Sequence, residues 1–463
     1  MKNKIIFLLL ALFFAGSMPA IKAQNSVSAF EKSDTADNVI IKEYFYPVTI
    51  TASYYENNFT TVFSYHDASF SSINIPLENY IVRDFVIDND TVFFCGENIE
   101  RTGIVGYFEI NDLFFNSGNF HIVCLLELPN NRRIGNLTKL VAFSYTDTLS
   151  GYVRKMVTVG TEKSDGYGCI AEVFCDNGLH WISTTGYIDN SVSESLLDVS
   201  LVKNHIVTVG FEEKPFLSIR NYRKDVIFSL SGIQDNRHSF NGFAASEGRK
   251  WLTDNVLVST MDNQRFATAS TWLRYDSLSV VKMIPSIHLA VFDLPSLLAL
   301  LPTGMQLSSE VIFPNHTTLS GPSGFVSNNT KSMFGVIPLT KTGGSLFFEA
   351  DWDLSLIANS INATGLDLCG DRGWRGLDIY NGQAQYVMAG RCIDDLTIHT
   401  YQVETAGMQS LCMPYEASTI NNLTPITSNV TVKGFEYWGY IPSFVDVAPG
   451  KTNYTDIEIE CNQ

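Results

Sequence analysis

Short apolar runs separated by turn residues are the dominant pattern of this chain. The first clear unit has an apolar run from residue 81, the turn Asp88-Asn89-Asp90, and a second run that ends at Gly96. Two further apolar runs follow at 104–110 and 121–128. Such spacing of short strands and turns predicts a four-stranded antiparallel meander.

The same arrangement recurs along the chain. A second unit comprises runs at 139–145, 153–160, 169–174 and 180–184, and a third comprises 196–202, 205–210, 216–222 and 226–230. Val-Thr-Val-Gly occurs at 157–160 and again at 207–210, with a looser copy at 92–96 and a possible fourth at 386–390. We therefore expect Gly96, Gly160 and Gly210 to occupy equivalent sites just past the second strand, where a sharp turn or a positive φ favours glycine.

Repeats of 40 to 50 residues with four strands each are typical of propeller blades. The remaining candidate blades lie at 40–77, 255–294, 310–352 and 366–413. The predicted fold class is therefore all-β, a β-propeller of about seven four-stranded blades. Ile457, Ile459 and Cys461 alternate with acidic residues, which predicts a last strand that closes the ring. The alternative is a propeller plus a small C-terminal β domain at 422–463.

The first 23 residues have the order of a secretory signal peptide. Lys2 and Lys4 precede an apolar run at 5–16, and small residues lead to a predicted cleavage site after Ala23. The apolar run is shorter than the roughly 20 residues that a membrane span needs. We expect an exported protein, in the periplasm, at the cell surface or outside the cell, with no integral span after cleavage. A flexible tether at 24–38 and a propeller-like domain at 39–463 would follow.

Charge and cysteine content narrow the function classes. The formal net charge is −17, and the signal carries three lysines and no acid, so its removal makes the charge −20. Because an acidic protein repels phosphate backbones, nucleic acid is not an expected partner. Eight cysteines permit disulfides in an oxidising compartment. Cys369 and Cys392 end successive strand-like runs and are the predicted pair, while buried thiols remain the alternative.

The residue patterns of the chain indicate candidate binding residues only. The chain has no nucleophile elbow, phosphate loop, dinucleotide fingerprint or metal-ligand spacing, so no catalytic residue, cofactor or metal is assigned. The candidate ligand-binding residues are Tyr437, Trp438 and Tyr440, whose rings could stack on sugars. Arg372 and Trp374, in a glycine-rich polar loop, are further candidates. Core packing and an ordinary connecting turn are the alternatives.

Two stretches resemble known families. Asp176-Asn177-Gly178-Leu179-His180-Trp181 resembles the Asp box of sialidase-type propellers, with Phe174 and His180 where that family has Ser and Thr. The alternative is a hairpin turn followed by a buried Trp. Ile21-Lys22-Ala23-Gln24 and the stretch 89–96 resemble secreted Bacteroides-type proteins with propeller-like repeats. That resemblance implies a location at the cell envelope or surface.

Repeated blades without a catalytic constellation favour a secreted, non-catalytic propeller that binds a glycan, a peptide or an envelope protein. The alternative is a secreted glycoside hydrolase or lyase on the same scaffold, and a third hypothesis is a surface protein that mediates assembly. An enzyme would present two carboxylates near basic or aromatic groups in its central cavity.

Overall fold

A computed structural model provides the structure of most of the chain. The residues described are 26–32, 38–45, 48–66, 72–111, 120–128, 132–149, 151–163, 168–176, 180–188, 194–216, 221–234, 239–243, 250–275, 283–299, 304–312, 321–328, 332–338, 345–361, 374–380, 385–391, 398–403, 419–422, 435–440, 445–447 and 455–460.

The first three sheets along the chain are antiparallel meanders. Blade 1 contains β2 (Asn38–Phe45), β3 (Val48–Tyr55), β4 (Thr60–His66) and β5 (Ser72–Glu78). Blade 2 contains β6 (Tyr80–Asp88), β7 (Thr91–Asn98), β8 (Gly103–Glu109) and β9 (Phe120–Leu125), with β32 (Val445–Val447) at its outer edge. Blade 3 contains β10 (Glu127–Leu128), β11 (Arg132–Asp147), β12 (Gly151–Glu162), β13 (Gly168–Asp176) and β14 (His180–Ile188), with β31 (Phe435–Tyr440) outermost.

Three further meanders follow. Blade 4 contains β15 (Glu194–Val202), β16 (His205–Phe216), β17 (Asn221–Gly232) and β18 (Ser239–Phe243). Blade 5 contains β19 (Lys250–Thr260), β20 (Arg265–Tyr275), β21 (Met283–Asp293), the short helix α1 (Leu294–Leu298) and β22 (Met305–Ile312), with β30 (Thr419–Asn422) outermost. Blade 6 contains β23 (Gly324–Ser327), β24 (Ser332–Pro338), β25 (Ser345–Asp351) and β26 (Leu356–Ile361).

The seventh sheet joins the two ends of the chain. Blade 7 contains β27 (Trp374–Tyr380), β28 (Gln385–Arg391) and β29 (Ile398–Val403), followed by β1 (Ser26–Lys32) and β33 (Thr455–Glu460). Strand β1 lies within the predicted tether at 24–38, and it pairs with β29 on one side and β33 on the other. The last strand therefore completes a sheet begun elsewhere, as the alternating pattern near Ile457 predicts.

The seven sheets are arranged as a closed ring. The inner strand of each blade contacts the inner strand of the next, through β2, β6, β11, β15, β19, β23 and β27, and β27 contacts β2. Apolar clusters fill the space between neighbouring sheets; one of them packs Phe63 of blade 1 against Phe85, Phe94, Phe108 and Phe120 of blade 2. This arrangement is a seven-bladed β-propeller, which confirms the predicted fold class.

Predicted strand boundaries were least accurate in blade 4 and blade 6. The runs 216–222 and 226–230 belong to one long hairpin of β16 and β17, and the fourth strand is β18. Glu310, predicted to open blade 6, lies in β22 of blade 5. Apolar runs end where the buried face ends, whereas backbone pairing continues into polar sequence such as Glu212-Glu213-Lys214.

The repeated glycines occupy equivalent sites, as predicted, but inside the second strand. Each lies opposite a bulge at the start of the inner strand, so that Gly96 pairs with Val82 and Gly210 with Leu196. Among the described glycines only Gly151 has a positive φ, so a left-handed backbone is not the reason for glycine at these sites. Space is the reason at Gly96, where an added Cβ would lie 1.9 Å from the carbonyl oxygen of Ile81. The bulged strand approaches too closely for any side chain.

The C-terminal strands attach to four different blades. β30, β31, β32 and β33 extend the outer edges of blades 5, 3, 2 and 7. Within the described residues of 422–463 there is therefore no separate sheet. Covering outer edges removes free backbone groups that would otherwise pair with another chain.

The predicted Cys369–Cys392 disulfide lies outside the described residues. Cys95 and Cys169 are buried as thiols in the core between blades 2 and 3. In the described part of the chain, no helix has the length and apolar character needed to cross a membrane.

Candidate ligand cavity at the ring centre

The inner strands surround a cavity of about 550 Å³. Residues from β2, β6, β11, β15, β19 and β23 line it, so six blades contribute to its wall. A cavity of this volume lies in the usual range for small-molecule sites. Its position at the hub makes it the principal candidate site of the described structure.

Three charged residues occupy equivalent positions on consecutive blades. Asp84, Lys139 and Asp198 each follow the inner-strand bulge. Each pairs with the residue that precedes the repeated glycine of its blade, namely Cys95, Val159 and Val209. The repeated bulge therefore sets an acid, a base and an acid at one level of the cavity wall. We call these three residues the hub triad.

Asp198 links blade 4 to blade 5. Its Oδ2 accepts a hydrogen bond of 2.8 Å from the Val258 backbone N–H, and its Oδ1 accepts one of 2.8 Å from the Val199 N–H. Burial raises the pKa of Asp198 to about 6, although Lys139 and the two N–H donors oppose this shift. A carboxylate with both oxygens held by backbone donors has a fixed orientation.

Asp84 makes the corresponding link from blade 2 to blade 3. Its Oδ2 accepts a hydrogen bond of 2.9 Å from the Leu140 N–H, and its Oδ1 lies 3.7 Å from the Lys139 Nζ. Burial disfavours the Lys139 ammonium, but Asp84 and Asp198 outweigh this effect, so the pKa of Lys139 lies above its ordinary value. The hub triad therefore holds one cation between two acids.

A related link joins the last blade to the first. Asp378 of β27 accepts a 3.3 Å hydrogen bond from the Glu43 N–H, and its Oδ1 lies 3.9 Å from the Lys42 Nζ. Lys42 lines the cavity. Lys42 and Lys139 thus each have a carboxylate within about 4 Å, and the Asp198 carboxylate is held by backbone N–H groups.

A second charged group lies at one mouth of the cavity, between blades 2 and 3. The Glu97 side chain, only 3% exposed, has three cations near it: Arg83 Nε at 3.5 Å, Arg101 Nη1 at 3.9 Å and Lys163 Nζ at 3.8 Å. We call these four residues the mouth cluster. Burial, together with Arg101 and the nearby Arg133, lowers the pKa of Lys163, although Glu97 opposes the shift.

Tyr54 is the aromatic group of this mouth. The Arg83 Nη1 donates a 2.8 Å hydrogen bond to the Tyr54 hydroxyl, and the guanidinium lies 4.8 Å from the Tyr54 ring centroid. Both residues line the cavity. Stacking with the ring orders the Arg83 side chain.

The residues predicted from sequence are not brought together. Tyr437, Trp438 and Tyr440 lie in β31, where they pair with Gly186, Thr185 and Ser183 at the outer edge of blade 3. Trp374 begins the inner strand of blade 7, opposite Gly390. Arg372 lies outside the described residues. These ligand contacts stay predictions, but the two groups belong to different parts of the propeller.

The hub triad was not among the residues predicted from sequence, although a signal for it was present. Asp84 and Asp198 each lie twelve positions before the repeated glycines Gly96 and Gly210. A polar residue recurring at a fixed offset inside an apolar strand indicates a shared role. Lys139 has no such spacing because the first hairpin of blade 3 is longer.

No group of three or more His, Cys, Asp or Glu side chains suited to a metal ion occurs among the described residues. The resembled Asp box falls between the third and fourth strands of blade 3, with its central residues outside the described ranges.

Comparison with known proteins gives structural likenesses only. No family model matches the chain, and no curated protein matches it significantly by sequence. The polysaccharide lyase Uly1 is similar over 84% of this chain and 94% of its own, at 8% identity and a TM-score of 0.46. The propeller domain of the Trilobed protease from Pyrococcus furiosus is similar over 79% of this chain and 94% of its own, at 9% identity and a TM-score of 0.42. The α-L-arabinanase of Penicillium chrysogenum is similar over 71% of this chain and 95% of its own, at 8% identity and a TM-score of 0.42. The propeller assignment here rests on the chain's own sheet topology.

Proposed function

We propose that this protein is an exported, non-catalytic propeller that binds a glycan in its central cavity. The observation that carries the proposal is the hub triad with its surroundings: a polar, charge-compensated wall whose carboxylates are oriented by backbone donors of the next blade. Fixed hydrogen-bonding groups suit a hydroxyl-rich ligand, because they need no reorganisation on binding. The signal-like residues 1–23 support export.

The placement of the carboxylates favours binding over catalysis. Both oxygens of Asp198 accept backbone N–H groups, and the residue is only 6% exposed. Asp84 is engaged by Leu140 and by Lys139. A carboxylate oxygen that accepts one backbone N–H can still accept a hydrogen bond from a ligand hydroxyl. A general acid must instead carry a proton and turn it toward the reacting atoms, which the backbone bonds to both Asp198 oxygens restrict.

The test is a glycan array followed by calorimetry on the chain from Gln24 onward. Lys139→Gln and Lys42→Gln should each weaken binding of any captured glycan by about tenfold or more, since each replaces a charged ammonium of the cavity wall with a neutral, shorter amide. Lys203→Gln, in the turn between β15 and β16, is the control for charge alone. Capture of peptides in place of glycans, or unchanged binding in both cavity variants, would refute the proposal.

A glycoside hydrolase or lyase is the second candidate, favoured by one observation. Burial raises the pKa of Asp198 to about 6, and the charge of Asp84, which lines the same cavity, acts in the same direction. Carboxyl groups with such shifts are typical of acid catalysts. An enzyme would cleave a bound glycan, and Asp198→Asn would abolish that cleavage. Absence of cleavage in every glycan that binds excludes this candidate.

A further inference from the structure

The mouth cluster is the strongest concentration of positive charge that the described structure places beside the cavity. Glu97 and Arg83 line the cavity itself, and Arg101 and Lys163 lie within 4 Å of Glu97. Arg133 lies beside them and pairs with Glu100 at 3.2 Å. This cationic group occurs in a chain whose formal net charge is −17.

The cations and the acids of this region differ in accessibility. The Glu97 side chain is 3% exposed, whereas those of Arg101 and Arg133 are 45% and 41% exposed. A ligand at the mouth therefore meets guanidinium and ammonium groups, with the compensating carboxylate behind them. Glu97 thus organises the cations without occupying the face that they present.

The two other acids that pair with these arginines, Glu56 and Glu100, are exposed and bound only weakly. Glu56 pairs with Arg83 at 3.1 Å but is 44% exposed, and Glu100 is 61% exposed. Exposed pairs of this kind contribute little to stability and exchange readily with another anion. An incoming carboxylate or sulfate can therefore replace them at Arg83 and Arg133.

The backbone also holds Lys163 in place. Its ammonium donates a short hydrogen bond to the Arg101 carbonyl oxygen. The side chain lies over Gly135, where an added Cβ would come within 2.0 Å of the Lys163 Cε. The Lys163 side chain thus occupies the space that a side chain at position 135 would need.

From this geometry we infer that the mouth cluster, with Arg133, is a subsite for an anionic substituent, a carboxylate or a sulfate, on the glycan bound in the cavity. The inference rests on the proposed function and names its ligand as an acidic glycan. Guanidinium groups bind both anions through paired N–H donors.

Two matched pairs of oligosaccharides test it by calorimetry: galacturonan with its methyl ester, and dextran sulfate with dextran. At low salt the charged member of at least one pair should bind about tenfold or more tightly than its neutral counterpart. Added salt should reduce this preference, because exposed charges are screened. The pair that shows it identifies carboxylate or sulfate.

Three variants locate the effect. Arg101→Gln with Lys163→Gln should remove the preference and leave binding of the neutral member unchanged. Gly135→Ala should weaken the preference without any change in net charge, because it displaces Lys163. Lys203→Gln is the matched control and should keep the preference.

The outcomes separate the two proposals. Equal affinity for charged and neutral members overturns the anionic subsite and leaves the proposed function standing. A preference that survives the Arg101 and Lys163 variant also overturns the subsite. Binding of no member of either pair, in a folded protein that captures peptides, overturns both.

Discussion

Gly96→Ala tests whether close approach of a bulged strand is what requires glycine in the repeats. The new Cβ would lie 1.9 Å from the Ile81 oxygen and 2.9 Å from the Val82 Cα, both backbone atoms of β6. Reaching even 3.0 Å from that oxygen requires the two strands to separate by about 1 Å, which the packed hub resists. We expect a loss of about 3 kcal/mol in the free energy of unfolding, at the upper end of overpacking effects.

Two matched variants give the expected order. At Gly160 the added Cβ would meet the Leu137 Cδ2 at 2.7 Å and the Gly135 oxygen at 2.8 Å, so small shifts suffice and about 1 kcal/mol is expected. Gly151 has a φ of 79°, and alanine there should cost about 1 kcal/mol through backbone strain alone. Urea denaturation followed by circular dichroism measures all three. If Gly96→Ala is no more destabilising than Gly151→Ala, the close-approach explanation is wrong.

Three further predictions follow from the described contacts. Because burial raises the pKa of Asp198 to about 6 from 3.8, its contribution is fully present below pH 3.8 and is lost as the pH rises through 6. Urea denaturation at pH 4 and pH 7 should therefore show a fall of about 3 kcal/mol that is missing in Asp198→Asn. Lys155→Met should destabilise the folded protein by about 3 kcal/mol, because the Glu172 carboxylate, 5% exposed and 3.1 Å from the Lys155 ammonium, would lose its cation. Adding Glu172→Leu removes the uncompensated charge, so thermal melts of the double variant should recover most of the lost stability. Deleting 455–463 should lower the melting temperature by several degrees, because β1 loses the partner on one edge; an unchanged melt would show that β33 adds nothing.

The sequence predicted the fold because blade formation depends on local patterns. Short alternating runs and turns such as Asp88-Asn89-Asp90 specify hairpins without reference to distant residues. The repeated Val-Thr-Val-Gly stretches then indicated equivalent strands, which the pairing of Val159 with Lys139 and of Val209 with Asp198 confirms.

The hub triad was harder to predict because it arises from bulges. A bulge adds unpaired residues and changes which side chains face the cavity. The shared offset of Asp84 and Asp198 from the repeated glycines was the one sequence signal, and without the bulges it does not show that these acids face the cavity. Their partners, Leu140 and Val258, lie on other blades, and only the closed ring brings them together.

The attachment of the C-terminal strands was also beyond sequence reasoning. An alternating run such as that ending at Ile459 predicts a strand but carries no information about its partner. The order in which 419–460 visits blades 5, 3, 2 and 7 depends on connections outside the described residues.

The position of β33 has a consequence for biosynthesis. Blade 7 combines a strand near the start of the chain with one synthesised after every other described strand. Until residues 455–460 have been synthesised, β1 therefore has an open edge, and blade 7 lacks its outermost strand. A chaperone that shields the β1 edge in that interval would protect the nascent protein from pairing with its neighbours.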